Sequence, residues 1–280
     1  MNTLYRRRRF WNRFHFSMSL LVTLAGLFVL GWILFTTLKF GVAALNLSLF
    51  RLDTPAPGNV GGLRNAFVGS LLLVGLAVLV GTPLGVLAGT FLAEFSRGKR
   101  LGMVVRFFND ILLSAPSIVI GLFAFSIVVY PMEHYSGWAG AFALTIIFIP
   151  VVLRTTDEML QLVPGSLREA ALALGAPHWK MVLRVTYRAA AAGILTGILL
   201  ALARISGETA PLIFTVLNNQ FWSTDLNRPI ASLPIAIYQF AMSPYADLQA
   251  LAWAGALVTV LFILILSLGA RYVLRRAGRS

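Results

Sequence analysis

The chain has 280 residues, of which 58% are apolar and only 12% charged. A soluble domain carries roughly a quarter charged residues, so a water-soluble enzyme is excluded and an integral membrane protein is indicated. The charge is lopsided, with 23 Lys and Arg against 10 Asp and Glu, and there is no cysteine, which excludes disulfides, thiolate metal sites and cysteine nucleophiles.

A membrane span needs about 20 mostly apolar residues. The first runs over residues 17–38, behind an arm with Arg6, Arg7, Arg8, Arg9 and Arg13. Its apolar run is too long for a signal peptide and no cleavage site follows it, so it reads as a retained anchor. Further spans are expected at 65–93, 111–130, 138–153, 189–203 and 251–272. Six spans put both termini on one side. Cations cluster in the N-terminal arm, after spans two and four, and in the tail, while the opposite side carries only Lys39, Arg51, Arg64 and Arg228. The positive-inside rule then makes both termini cytoplasmic. The same rule accounts for the basic excess, which elsewhere would suggest nucleic acid; no nucleic-acid partner is expected, and membrane lipid is.

Gly81, Gly85 and Gly89 recur at every fourth position of span two, and Gly193 and Gly197 do so in span five. Small residues at that spacing let helices approach closely. Pro83 is expected to kink span two. The outer stretch 217–249 holds Phe221, Trp222, Tyr238, Phe240 and Tyr245, which suit an interfacial aromatic belt or a docking surface for an external partner.

The inner loop after span four contains Pro164-Gly165 and then Ser166-Leu167-Arg168-Glu169. That spacing predicts a capping box, with Ser166 and Glu169 satisfying donors at a helix start. Gly175 is placed to cap the other end, and Pro177 to open the next helix as its first residue. The expected helix covers about 166–175. Leu167, Ala171 and Leu174 fall on one stripe, and the alanines keep it slim. Such a helix suits insertion into a groove on another protein or rest against the membrane surface; the local pattern leaves both open.

The run Glu169-Ala170-Ala171-Leu172-Ala173-Leu174-Gly175 resembles the EAA motif of ABC importer permeases, E-A-A-x3-G-x9-I-x-L-P. Val185 stands in the Ile position, Tyr187 replaces the Leu and Arg188 the Pro. The resemblance implies that Glu169, Ala170, Ala171 and Gly175 belong to a coupling helix that docks on an ATP-binding subunit.

In span five, Arg204 and Glu208 are costly residues for a membrane interior and so candidates for function. At about 1.5 Å per residue from Ala190, Arg204 lies ~21 Å deep. A four-residue spacing places both on one helix face, with Gly207 and Pro211 expected to unwind the backbone, as in transporter sites built from broken helices. The plain alternative is a self-compensating ion pair. A buried pair is weak support for stability, and the Arg-to-Glu order is the poorer helical one, so an anion pathway is the favoured reading. Arginine recognises oxyanions bidentately, and an ionised Glu208 accepts a hydrogen bond from a protonated phosphate but not from sulfate.

The stretch Gly207-Glu208-Thr209-Ala210-Pro211-Leu212, followed by Leu217-Asn218-Asn219-Gln220-Phe221, resembles the PstA-type permeases of phosphate ABC importers. So do Ala115-Pro116-Ser117-Ile118-Val119-Ile120-Gly121-Leu122-Phe123, Leu92-Ala93-Glu94-Phe95 and Ala231-Ser232-Leu233-Pro234. The likeness runs from about residue 65 to 271. It implies an all-α membrane protein of the type I (MetI-like) fold: an arm at 1–16, a first span with its outer loop at 17–64, a permease domain at 65–272 and a tail at 273–280. It also implies a prokaryotic inner-membrane location and a phosphate path through Arg204, Ser206, Glu208 and Thr209. The partners implied are a PstC-type sister permease, two PstB-type ATPases and a PstS-type external phosphate-binding protein. No cofactor is expected.

No Walker A motif is present, because Gly98-Lys99 is followed by Arg100 and lacks the earlier glycine, so ATP hydrolysis is expected in another subunit. His15, His134 and His178 stand singly, and Ser114, Ser117 and Ser206 have no nearby histidine. Two other readings stay open: a permease for another oxyanion, and a membrane enzyme using Arg204 and Glu208 on a phosphorylated lipid.

Overall fold

The computed structural model describes residues 3–96 and 98–277. Arg97, of the cluster after span two, and Arg279, of the tail, lie outside them, as do the side chains of Arg6, Arg275 and Arg276. The described residues form helices and loops with no strand. This follows from the solvent: backbone polar groups in hydrocarbon must be satisfied within the segment.

The elements in order are α1 (Thr3–Ala44), α2 (Ser48–Arg51), α3 (Arg64–Thr90), α4 (Arg100–Ser114), α5 (Ser117–Ala124), α6 (Tyr130–Met132) and α7 (Gly137–Gln161). Then come α8 (Gly165–Ala173), α9 (His178–Met181), α10 (Tyr187–Ile205), α11 (Ala210–Thr215), α12 (Leu233–Ala241) and α13 (Ala246–Ala277). Single π-helical turns extend α3 (Phe91–Phe95), join α5 to α6 (Phe125–Val129) and join α9 to α10 (Val182–Thr186). Five helical segments are long and apolar enough to cross a membrane, or six if the bent pair formed by α4 and the stretch Ser117–Met132 counts as one.

That bent pair corrects the straight third span expected at 111–130. The chain turns by 103° between α4 and α5. Ala115 (ψ 135°) and Pro116 (ψ 133°) are both extended, because the proline ring disfavours helix at the residue before it. α4 lays Arg106, Asn109 and Asp110 towards α7 and leaves Val104, Phe107, Phe108 and Ile111 exposed. The other spans are helical over their expected cores and run past them. The arm and first span are one helix, and α7 continues two turns beyond the expected 153.

α7 is the centre of the molecule. Leu144, Ile147, Phe148 and Val152 on it pack with Leu73 and Ala77 of α3, Ala201 and Ile205 of α10, and Leu212 of α11. Membrane helices gain little from hydrophobicity against one another, so close approach must hold them. The glycines supply it. A Cβ on Gly81 would meet Phe148 at 2.6 Å, on Gly85 would meet Val152 at 2.8 Å, and on Gly89 would meet the Leu153 carbonyl at 2.6 Å. Where α7 meets α10, Gly193 abuts Met159 and Gly197 abuts Thr155. Gly85→Leu is therefore expected to destabilise the helix pair by several kcal/mol, since overpacking by even a few methylenes costs about 1–3 kcal/mol. Gly75→Ala, with nothing within 4 Å, should be neutral; Tm in detergent checks both.

The end of the bundle opposite α8 is closed by the segment after α11. The backbone N–H groups of Ser136, Gly137 and Trp138 donate to the carbonyls of Thr215, Arg228 and Leu226 respectively, at 3.1–3.2 Å, which satisfies donors that a helix start leaves free. Ile230, Ala231, Ser232 and Leu233 are buried, so this stretch folds into the bundle. Two of its expected belt aromatics have other duties: Phe240 is in the core, and Trp222 lies under the Arg64 guanidinium at 4.5 Å.

Candidate functional site

Two places hold the polar residues that the sequence singles out. The first is the break between α10 and α11. α10 stops at Ile205, residues 206–209 form an irregular turn, and Pro211 sits in the first turn of α11. The expected unwinding is present. The expected shared helix face is not, because Glu208 lies past the helix end; the turn instead folds it back until Arg204 Nε stands 4.0 Å from Glu208 Oε1. That separation is an ion pair without a hydrogen bond. Arg204 is 44% exposed and Glu208 16%, and no hydrogen bond from the Arg204 side chain occurs among the described residues. The guanidinium thus keeps its donors free on the flank of the subunit.

The surroundings fix this turn. Pro211 presses on α5 so closely that a Cβ on Gly121 would lie 2.6 Å from its Cα. The Ser206 hydroxyl donates to the Leu202 carbonyl at 2.7 Å, so it is occupied in the helix. It also lines an apolar cavity with Phe67, Ser70, Val74, Leu233, Val258 and Phe262. Thr209 is the residue before α11 and its side chain makes no capping bond. Arg204, Glu208 and Thr209 therefore lie together at one break, while Ser206 turns towards the α3–α13 side.

The second place is the α8 end. α8 begins one residue earlier than expected, with Pro164 before it and no side-chain cap. The capping box of Ser166 and Glu169 is not formed, because Ser166 already lies within the first turn; Pro164, pre-set outside the helical region (ψ 139°), starts the helix instead. Likewise Pro177 precedes α9 rather than opening it. The C-terminal expectation holds: Gly175 has φ +80°, its N–H donates to Leu172 at 2.9 Å and the Ala176 N–H donates to Ala171 at 3.2 Å. These are the two bonds of a Schellman cap, in which glycine takes the left-handed position at no steric cost. Glu169 and Ala170 are exposed, Ala171 is half-buried, and Leu167, Leu172 and Leu174 stand in the open.

One residue of α8 is buried, and sequence reasoning had it only as an inner-side cation. Arg168 meets Glu94 through Nη2 at 2.7 Å and through Nε at 3.2 Å, and donates to the carbonyls of Leu160 at 2.6 Å and Val163 at 2.5 Å. Close by, Arg106 of α4 forks onto Asp157 of α7 at 2.8 and 3.1 Å and reaches the Leu92 carbonyl at 3.1 Å. Arg154 bridges Asp110 and Glu158. The signal for this network was the lone carboxylate Glu94 at the end of an apolar span. The position where the motif has proline carries Arg188, and its neighbour Tyr187 shares a hydrogen bond of 2.7 Å with Thr90 of α3; α10 thus runs on from α9 through a π turn, tied to α3 by a hydroxyl pair.

Residues 81–279 match the family model described as the binding-protein-dependent transport system inner membrane component. The phosphate transport system permease protein PstA of Pasteurella multocida is 57% identical over 270 residues, covering 96% of each chain. The protein of that name from Haemophilus influenzae is 55% identical over 97% of this chain and 98% of its own. A probable PstA of Methanocaldococcus jannaschii is 37% identical over 77% of this chain and 76% of its own. Among solved structures, an inward-facing MetNI methionine ABC transporter shares the fold with a TM-score of 0.63 at 17% identity, over 77% of this chain and 95% of that one. A helical bundle with a broken span, a short exposed helix carrying the E-A-A-x3-G run, and kinship over nearly its whole length place the chain in the binding-protein-dependent transport system inner membrane component family, among the PstA phosphate permeases.

Proposed function

We propose that the chain is the permease subunit through which inorganic phosphate crosses the inner membrane, driven by ATP hydrolysis in a separate subunit. The observation that carries this reading is Arg204, held at a helix break with its donors free and a carboxylate 4.0 Å away. A guanidinium binds a phosphate oxyanion in a fork. Glu208 accepts from the proton that phosphate keeps at neutral pH, and it weakens the hold on the anion, as release requires. Thr209 adds a hydroxyl at the same break.

Arg204 faces outward from the subunit, so the path lies at the seam with a sister permease of the PstC type. The α8 end and both termini face the cytoplasm. There α8, through Glu169, Ala170 and Ala171, seats on one of two PstB-type ATPases, and the opposite end receives phosphate from a PstS-type binding protein. No cofactor takes part.

The test is uptake by vesicles holding both permeases, with the ATPase and the phosphate-binding protein supplied. Phosphate uptake that stops without ATP supports the proposal; turnover of a phosphorylated lipid by the purified chain would replace it. Glu208→Gln is expected to let sulfate compete, since an amide donates where a carboxylate cannot. Competition by sulfate unchanged in that variant would remove Glu208 from selection.

A further inference from the structure

We infer that Arg168 and Glu94 form the strut through which movement of α8 is passed to the inner end of α3. This rests on the reading of α8 as the coupling helix and names the positioning residues that make it work. α8 is joined covalently to α7 before it and to α9 after it, and α9 meets the π turn closing α3 through an edge contact of His178 with Phe95, ring centroids 5.0 Å apart; among the described residues neither connection grips that turn by an ion pair. The Arg168 side chain does. Its guanidinium ties three segments at once: α8, which carries it; the end of α7, through the Leu160 and Val163 carbonyls; and the π turn closing α3, through Glu94.

The chemistry suits a strut. Arg168 is 11% exposed and Glu94 3%, so the pair is little screened by water or salt. A bidentate guanidinium–carboxylate contact fixes orientation as well as distance. Both carbonyls lie where α7 ends and helix carbonyls run short of partners; the Leu160 oxygen also accepts from the Val163 N–H at 3.3 Å, and a cation there meets the negative end of the α7 dipole. Separating Arg168 from Glu94 would strand two buried charges, which costs far more than the pair gains by forming. The pair therefore stays together while its surroundings move. The remainder of α8 is exposed or half-buried, so no other side chain of the helix offers a comparable grip.

The π turn extends the route. Its Leu92 carbonyl accepts from Arg106, which also forks onto Asp157 of α7. A π turn departs from the i→i+4 bonding of the α-helix, and here two arginines hold it, Arg168 through Glu94 and Arg106 through the Leu92 carbonyl. A push on α8 thus reaches α3 by an ionic contact rather than through the chain.

The experiment compares Glu94→Gln, Glu94→Asp and Glu169→Lys in the full complex reconstituted in vesicles, measuring bound ATPase, ATP hydrolysis and phosphate uptake per complex. Glu94→Gln is expected to keep the ATPase bound and hydrolysing while phosphate moved per ATP falls at least fivefold; Glu94→Asp, which keeps the charge, should recover most of it. A lower yield of complex with an unchanged ratio per complex would mean that the pair only holds the fold, and would overturn the strut. So would equal ratios for Gln and Asp. The Glu169→Lys arm reads the parent proposal separately: if it leaves ATPase binding and coupling intact, α8 is not the docking helix, whatever Glu94 does.

Discussion

Arg204→Gln will cut ATP-driven phosphate uptake by about two orders of magnitude or more while the complex assembles in normal amount. The guanidinium makes no hydrogen bond among the described residues and meets Glu208 only at 4.0 Å, so the fold loses little when it goes. The anion loses two charge-assisted hydrogen bonds, each worth about 1.5–3 kcal/mol, and the only cation of the break. Glutamine offers one weaker donor pair and no charge. Uptake assayed beside complex yield separates the two effects, and normal uptake at normal yield would take the pathway away from this residue. Arg204→Lys should fall between, because an ammonium keeps the charge without the planar fork.

Gly175→Pro and Glu169→Lys will each uncouple hydrolysis from transport, by different routes. Gly175 has φ +80°, and proline is locked near −65°. The substitution also removes the N–H that caps Leu172. The end of α8 must then unwind and release Leu174, its most exposed apolar side chain, from the position the cap gives it. Glu169→Lys leaves the helix whole, because Glu169 is exposed and its side chain makes no hydrogen bond or ion pair among the described residues, and reverses the charge it shows to a partner. The first variant should bind the ATPase weakly through loss of shape. The second should bind it weakly through repulsion, and should recover partly at high salt, which screens exposed charges. Co-purification at two salt concentrations distinguishes them. Equal, undiminished binding in both would deny α8 the docking role.

Most of the fold was legible because the bilayer reduces the problem to length and hydropathy. Apolar runs gave the spans, and the glycine spacing gave the faces of α3 and α10 that meet α7. The third span was misread because residues 111–114 are as apolar as 117–130; only Ala115-Pro116 marked the turn, and an X-Pro pair inside a membrane helix is often tolerated. The start of α8 was misread because Ser166 and Glu169 have the spacing of a capping box whether or not Ser166 is the cap. At the candidate site, the four-residue spacing of Arg204 and Glu208 suggested a common face, yet Ser206 and Gly207 end the helix between them. Arg168 was invisible as an anchor, because nothing in a single sequence pairs it with Glu94, 74 positions away.

The glycine contacts have a mechanical consequence. Phe148, Val152, Thr155 and Met159 of α7 press onto glycines of α3 and α10 with no room even for a Cβ, so sliding either helix along α7 would bring atoms into collision. The three must rock as one block. Opening towards one face of the membrane and then the other therefore has to be absorbed where the backbone is already irregular, at the 103° elbow before α5 and at the loosened turn that carries Arg204's carboxylate neighbour.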